Sequence, residues 1–290
     1  MVKPQGHALE LPAWLQPLEQ RASRHATAMA GGGRMVWHHW GTDTSDHAPL
    51  VLLHGGSGSW THWAHNIDAL AASGRTLWVP DLPGFGDSDP PPQGCDAQAM
   101  VQPLADGLQL LLGAQECDLV GFSFGGLTGG LLAGAHPERV QRLVLAGAPA
   151  MGVVPRRQFQ LRGWRHLKNE EARNAVHHHN LAELMLHDAA RIDAPTLQLH
   201  VHNVLRDRLP QRRTSDTDAL ARALAQVTSP VHAIYGAHDA LYKSWISHLD
   251  SAFAATGAPY RGLQLIADAG HWVQYEQPQT FNAALLRVLG

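Results

Sequence analysis

Five residues of this chain read as a nucleophile set on a sharp turn: Gly121-Phe122-Ser123-Phe124-Gly125. They follow a short apolar run, Cys117 to Phe122, and precede a stretch of small residues, Phe124 to Ala135. A serine hydroxyl attacks a carbonyl only when it is held exposed beside a base. A strand-to-helix turn holds it so and crowds its neighbours, which calls for glycine on both sides. The competing reading is a glycine-rich turn with an idle serine, and the strand–turn–helix context favours the nucleophile. A helix starting at Phe124 also aims unpaired N–H groups at developing negative charge.

Acyl transfer needs two preorganised N–H donors for its oxyanion. The first is expected from Phe124. The second is expected from Gly56, in His54-Gly55-Gly56-Ser57-Gly58 after the apolar run Leu50 to Leu53. A tight turn would explain these glycines as well, and His54 itself reads as structural. A base and an acid complete the set. Asp239 follows the run Pro230 to Tyr235, and His271 follows the run Arg261 to Ile266. The order serine, acid, histidine suits a nucleophile on such a turn. Any one of 20 histidines is a poor candidate by itself; His271 stands out because glycine precedes it just past the final strand. Asp250, Asp268 and His238 are the weaker alternatives.

Such residues meet only if strand ends gather at one edge. Arg34 to Trp40, Leu50 to His54, Arg75 to Pro80, Cys117 to Phe122 and Val140 to Ala146 read as strands, with helices expected over Trp60 to Ala72, Gln98 to Leu112 and Phe124 to Ala135. After a gap the pattern resumes: strand Pro230 to Tyr235, helix Leu241 to Ala255, strand Arg261 to Ile266, helix Pro278 to Leu289. Alternating elements with uninterrupted apolar strands predict an α/β fold, a mostly parallel twisted sheet covered on both faces. The expected core is 1–150 and 229–290. Residues 151–228, rich in Arg, His and Gln, read as a helical cap over the catalytic edge, where loops gather. Residues 1–33, ending in Gly31-Gly32-Gly33, read as a loosely attached leader.

Composition narrows the function. Apolar residues make up 44% and charged residues 16%, with a net charge of −3, so there is no basic excess for nucleic acid. No apolar run approaches the roughly 18 residues of a membrane span, and the N-terminus lacks a stretch long enough for a signal peptide. With only Cys95 and Cys117, a reducing, cytoplasmic setting is expected. No metal-ligand spacing is present, and no cofactor is implied. The composition specifies no oligomeric state. His177-His178-His179 point different ways on a helix and read as a solvated face. His200 and His202 fall in a segment with a helical pattern, and Arg212-Arg213 reads as a surface pair.

From about Arg34 to Gly290 the sequence resembles the α/β-hydrolase superfamily. Pro80-Asp81-Leu82-Pro83-Gly84-Phe85-Gly86-Asp87-Ser88 is similar to a loop that is mainly structural in that family. Gly270-His271-Trp272-Val273-Gln274-Tyr275-Glu276 is similar to the tail of the meta-cleavage-product hydrolases, which split carbon–carbon bonds in ring-fission products. That resemblance implies that Trp272 lines the substrate pocket; Gly55 and Phe122 are the other expected pocket residues. The chain also departs from that group. Phe122 stands where its members carry Asn, and His200 aligns with their carboxylate-binding arginine, with Arg206 and Arg208 near. The form GFSFGG is similar to esterases and to cofactor-free perhydrolases. Haloalkane dehalogenases and epoxide hydrolases need a carboxylate where this chain has Ser123. The leading expectation is a serine hydrolase of small to medium carboxylic esters, with no cap arginine facing the pocket. The alternatives are a carbon–carbon hydrolase of ring-fission products and a catalytically silent binding protein of this fold.

Overall fold

The computed structural model describes residues 10–42, 45–209 and 212–290. Eight strands form one sheet: β1 (Ser23–Ala28), β2 (Arg34–Trp40), β3 (Leu50–Leu53), β4 (Leu77–Pro80), β5 (Cys117–Phe122), β6 (Val140–Ala146), β7 (Val231–Gly236) and β8 (Tyr260–Ile266). Their spatial order is β1-β2-β4-β3-β5-β6-β7-β8. The first two pairings, β1 with β2 and β2 with β4, are antiparallel. From β4 to β8 every pairing is parallel. The ten α-helices are α1 (Gln16–Gln20), α2 (Ile67–Ala72), α3 (Gln98–Leu112), α4 (Phe124–Ala135), α5 (Glu170–Asn180), α6 (Ala194–Leu205), α7 (Ala219–Leu224), α8 (Leu249–Ala254), α9 (Val273–Glu276) and α10 (Pro278–Leu289), counted among the described residues.

The central strands are apolar throughout because both their faces are covered. Side chains alternate across a strand, so each strand feeds two cores. Val51, Leu53, Leu119, Leu143 and Leu145 pack under α3, α4 and α8. Leu50, Leu52, Val120 and Val144 pack against α2 and α10. The chain leaves β3 for β4 on one side and returns past it to β5 on the other. A crevice forms at the carboxyl ends of the strands where the order reverses in this way.

Several expectations are corrected. The leader reading fails for residues 10–33. β1 pairs with β2 over six residues, Leu15 and Leu18 are buried, and Trp40 Nε1 donates to Leu18 O at 3.0 Å. Residues 1–9 lie outside the described residues. The helix expected over Trp60 to Ala72 splits into a 3₁₀ turn, Trp60–Trp63, and α2. The one expected over Leu241 to Ala255 splits likewise into Lys243–His248 and α8. Among its described residues the segment 151–228 carries no strand. Its last helix, α7, belongs to the layer that covers the sheet: Leu220 packs so close to α4 that a Cβ on Gly130 would stand 2.2 Å from it.

Candidate active site

Ser123 stands between β5 and α4 with φ 51° and ψ −118°. Positive φ is strained for a residue with a Cβ and persists only where the surroundings impose it. They do so here through three hydrogen bonds: Ser123 N donates to Ala146 O at 2.8 Å, and its carbonyl accepts from Gly126 N and Leu127 N. The flanking glycines answer to crowding. A Cβ on Gly121 would lie 2.5 Å from Gly125 O, and one on Gly125 would lie 2.4 Å from His54 O. These neighbours are backbone and cannot swing aside. Gly125→Ala is therefore expected to destabilise the fold by about 1–3 kcal/mol, as overpacking does. Turnover should fall with stability, because relief must displace either the turn or the His54 loop. Thermal melting alongside ester turnover checks this.

Three side chains expected to act together meet. His271 Nε2 lies 2.9 Å from Ser123 Oγ. His271 Nδ1 lies 3.0 Å from both Asp239 oxygens. Asp239 is fully buried, and its Oδ1 also accepts from Leu241 N at 2.9 Å. A carboxylate on Nδ1 fixes the proton there and leaves Nε2 as the acceptor facing the hydroxyl. The alternatives are occupied elsewhere. Asp250 accepts from Tyr260 Oη, Asp268 sits in a turn with φ 53°, and His238 is exposed, stacked on His187 at 3.7 Å.

Two tyrosines missed at sequence level brace the neighbouring loop. Tyr235 and Tyr242 both donate to Ala148 O, at 2.8 and 2.6 Å. Burial raises both phenols well above their ordinary range, with the Asp239 charge contributing, so both remain donors at any ordinary pH. Another residue missed is Glu276, a buried carboxylate that accepts from Gly270 N, His187 N and Asp188 N. Its only signal was an acid within the otherwise apolar, aromatic tail.

A cavity of about 590 Å³ opens over Ser123 and is lined by Gly56, Phe124, Phe122 and His271. Gly56 and Phe124, the expected oxyanion donors, thus border the same space as the hydroxyl. Gly55 and Trp272 do not line it. Gly55 closes against Phe122, whose ring would be 2.8 Å from a Cβ there. Trp272 is fully buried, stacked on Tyr275 at 4.0 Å and bonded through Nε1 to His62 O. The expected histidine roles also sort out. His54 is structural, with Nε2 accepting from Leu82 N and Nδ1 donating to Gly55 O.

The segment after Pro149 supplies much of the cavity wall, including Met151, Val154, Phe159, Leu184 and Met185. It also supplies Arg156, Arg157 and Arg212, so the expectation that no arginine from this segment faces the pocket is corrected. Arg212 is not the surface residue its sequence suggests. Its guanidinium lies 5.2 Å from the Phe85 ring and 5.7 Å from the Phe124 ring. It pairs with Asp207 at 2.9 Å and donates to Ser57 Oγ at 3.1 Å. Other arginines of the segment are committed elsewhere. Arg206 pairs with Asp87, Arg208 donates to the carbonyls of Phe85, Gly86 and Ser88, and Arg191 donates to Glu276 O.

His177 is a further correction: it is 2% exposed, on the inner side of α5, where a solvated position was expected. Burial, with nearby Arg173 and Arg165, lowers its pKa to about 4. Burial lowers His200 to about 3 and, with Arg206, His202 to about 4. An unfolded histidine titrates near 6.5, so between these values the unfolded chain binds more protons than the folded one. Stability must then rise with pH across that window and fall as pH drops from 6.5 towards 4. Calorimetric melting from pH 7.5 to 4.5 should show a progressive fall in Tm that starts near pH 6.5. A flat profile would contradict the burial of these rings. No group of three or more His, Cys, Asp or Glu among the described residues is placed to hold a metal ion, and no helix among them is long and apolar enough to cross a membrane.

Comparison with known proteins agrees with the fold. Residues 48–187 match the family model described as alpha/beta hydrolase fold. The chain has the α/β-hydrolase fold and is a hydrolase. It is similar to a 2-hydroxy-6-oxononadienedioate/2-hydroxy-6-oxononatrienedioate hydrolase of Paraburkholderia phymatum, with 27% identity over 94% of this chain and 97% of the relative. A 2-hydroxymuconate semialdehyde hydrolase of Pseudomonas putida is 29% identical over 87% of this chain and 89% of its own. Among solved structures, a carboxylesterase of Bacillus subtilis superposes with a TM-score of 0.72 at 20% identity, over 94% of this chain and 93% of that one.

Proposed function

We propose that the protein is a serine hydrolase that cleaves small to medium carboxylic esters through an acyl-enzyme. The observation that carries this is the hydrogen-bonded chain from Asp239 through His271 to Ser123 Oγ. Ser123 Oγ attacks the ester carbonyl carbon and its proton passes to His271 Nε2. The oxyanion is held by the N–H groups of Gly56 and Phe124. Collapse breaks the carbon–oxygen bond, and the imidazolium returns its proton to the leaving alcohol. Water then attacks the acyl carbon, again with His271 as base, and the acid departs as Ser123 regains its proton. Residues 151–218 act as a cap that shapes the substrate space, supported by their share of the cavity wall. Buried, inert Cys117, its thiol pushed up to about 12 chiefly by burial, is compatible with a reducing, cytoplasmic setting.

A second reading, hydrolysis of a carbon–carbon bond in a ring-fission product, is favoured by Arg212 at the cavity wall and by the names of the relatives at 27 and 29% identity. Against it, Arg212 and Arg157 already have Asp207 and Asp216 as counter-charges, which leaves Arg156 at the wall, and His200, lowered to about 3 by burial, offers a carboxylate no cation. Parallel assays on p-nitrophenyl esters of graded chain length and on a ring-fission dienoate separate the two. Ester turnover well above dienoate turnover is expected, and the reverse would overturn the ester reading.

A further inference from the structure

A second chamber of about 490 Å³ adjoins the cavity at Ser123, and both are bordered by Gly56, Leu184, Met185 and Arg212. What distinguishes it is its histidines, His62, His177 and His200, with Trp164 beside them. These rings are held in place by specific features. His62 fits because residue 58 is glycine: a Cβ there would stand 2.2 Å from its Cε1. Gly55 N donates to His62 Nδ1 at 3.2 Å, which puts the ring proton on Nε2. His200 rides on α6, and α6 is tied to the same loop through Asn203, whose Oδ1 accepts from Ser59 Oγ at 2.8 Å and Thr61 Oγ1 at 3.1 Å. His177, on α5, meets His200 edge to face at 5.4 Å and the Trp164 ring at 4.9 Å.

Apart from His62 Nδ1, the nitrogens of these rings have no hydrogen-bond partner among the described residues. His177 Nδ1 is buried with no hydrogen-bond partner, and such atoms call for something outside the chain to complete them. A neutral imidazole offers one donor and one acceptor. A wall of neutral imidazoles suits a hydroxyl group, which both donates and accepts. An ether can only accept, and a carboxylate needs an unpaired cation; of the arginines on the chamber wall, Arg212 is paired with Asp207, Arg165 lies over one face of Trp164 at 4.8 Å and Arg162 is exposed. The flat face of Trp164 suits an aromatic ring.

We infer that this chamber is a subsite for an uncharged, hydroxyl-bearing aromatic ring, a phenol or its like, carried by the acyl compound that Ser123 attacks. The inference rests on the serine-hydrolase reading for its link to turnover but not for binding. Binding is therefore the test. Wild-type protein is titrated calorimetrically with 4-ethylphenol, 4-ethylanisole and 4-ethylbenzoate, which share the 4-ethylphenyl frame and differ in the polar group. The phenol should bind about tenfold tighter than either, the factor expected from one unmatched buried hydrogen bond. That preference should collapse in His200→Phe and in His177→Phe, with cooperative melting showing that each variant is folded. Equal binding of the three probes would overturn the inference. So would tightest binding by the benzoate, which would assign the chamber to an anion on Arg212, or a phenol preference that survives both substitutions in folded protein. Turnover of p-nitrophenyl acetate is measured separately. Its absence beside an intact phenol preference would strike at the role of Ser123 and leave the subsite standing.

Discussion

Ser123→Ala is expected to lower ester turnover by a factor on the order of 10⁶ while the protein melts close to the wild-type temperature, the scale seen when the nucleophile of a comparable serine–histidine–aspartate set is removed. The side-chain oxygen has one hydrogen-bond partner, His271 Nε2, and the hydroxyl borders a cavity where it packs against little. Alanine carries the same Cβ, so the positive φ costs no more than before. The backbone bonds to Ala146, Gly126 and Leu127 are untouched. Adding His271→Ala should cost almost nothing further, because a base without its nucleophile has no proton to take. Rates with p-nitrophenyl acetate on both variants check this, and a single variant within a hundredfold of wild type would refute the assignment.

Asp239→Asn should lower kcat by about 10⁴-fold with little change in KM, by analogy with the same substitution in serine proteases. Both carboxylate oxygens face His271 Nδ1, and Oδ1 also accepts from Leu241 N. An amide has only one acceptor. If its oxygen serves Leu241, its NH₂ meets Nδ1 and drives the imidazole proton to Nε2, where it cannot accept from Ser123. The cavity wall does not include Asp239, so substrate binding should hold. Steady-state kcat and KM on one ester test this; a near wild-type kcat would leave the orienting role without an owner, since no other acid among the described residues meets His271.

Most of the scaffold was legible because buried parallel strands leave uninterrupted apolar runs. Cys117–Phe122, Val140–Ala146 and the helices Gln98–Leu112 and Pro278–Leu289 fall where their patterns place them. β1 left no such trace. It is an edge strand with only Thr27 buried, so its sequence, Ser-Arg-His-Ala-Thr-Ala, carries no apolar alternation. The serine, acid and histidine were legible because each follows the end of a strand and strand ends of a parallel sheet share an edge. Arg212 was not. Its partner Asp207 lies five residues away, a spacing any surface pair can show, and nothing local says that the chain folds back over Phe85 and Phe124. His177 was misread for a related reason: three consecutive histidines cannot share a face, but one of them can still turn inward.

The carboxylate of Glu276 makes the histidine loop and the segment 187–188 a single mechanical piece. One oxygen holds Gly270 N at 2.6 Å and His187 N at 3.0 Å, and the other holds Asp188 N at 2.7 Å. Trp272 N adds a bond to Met185 O at 2.7 Å. Amides joined in this way open together, not one by one. Hydrogen–deuterium exchange should therefore show Gly270, His187 and Asp188 with one shared protection factor, although they lie some eighty residues apart in the chain. Any fluctuation that lifts the covering segment away by this route also withdraws the support beneath His271, so the open form would admit ligand while the proton relay is slack. The relay tightens again only as the cover returns.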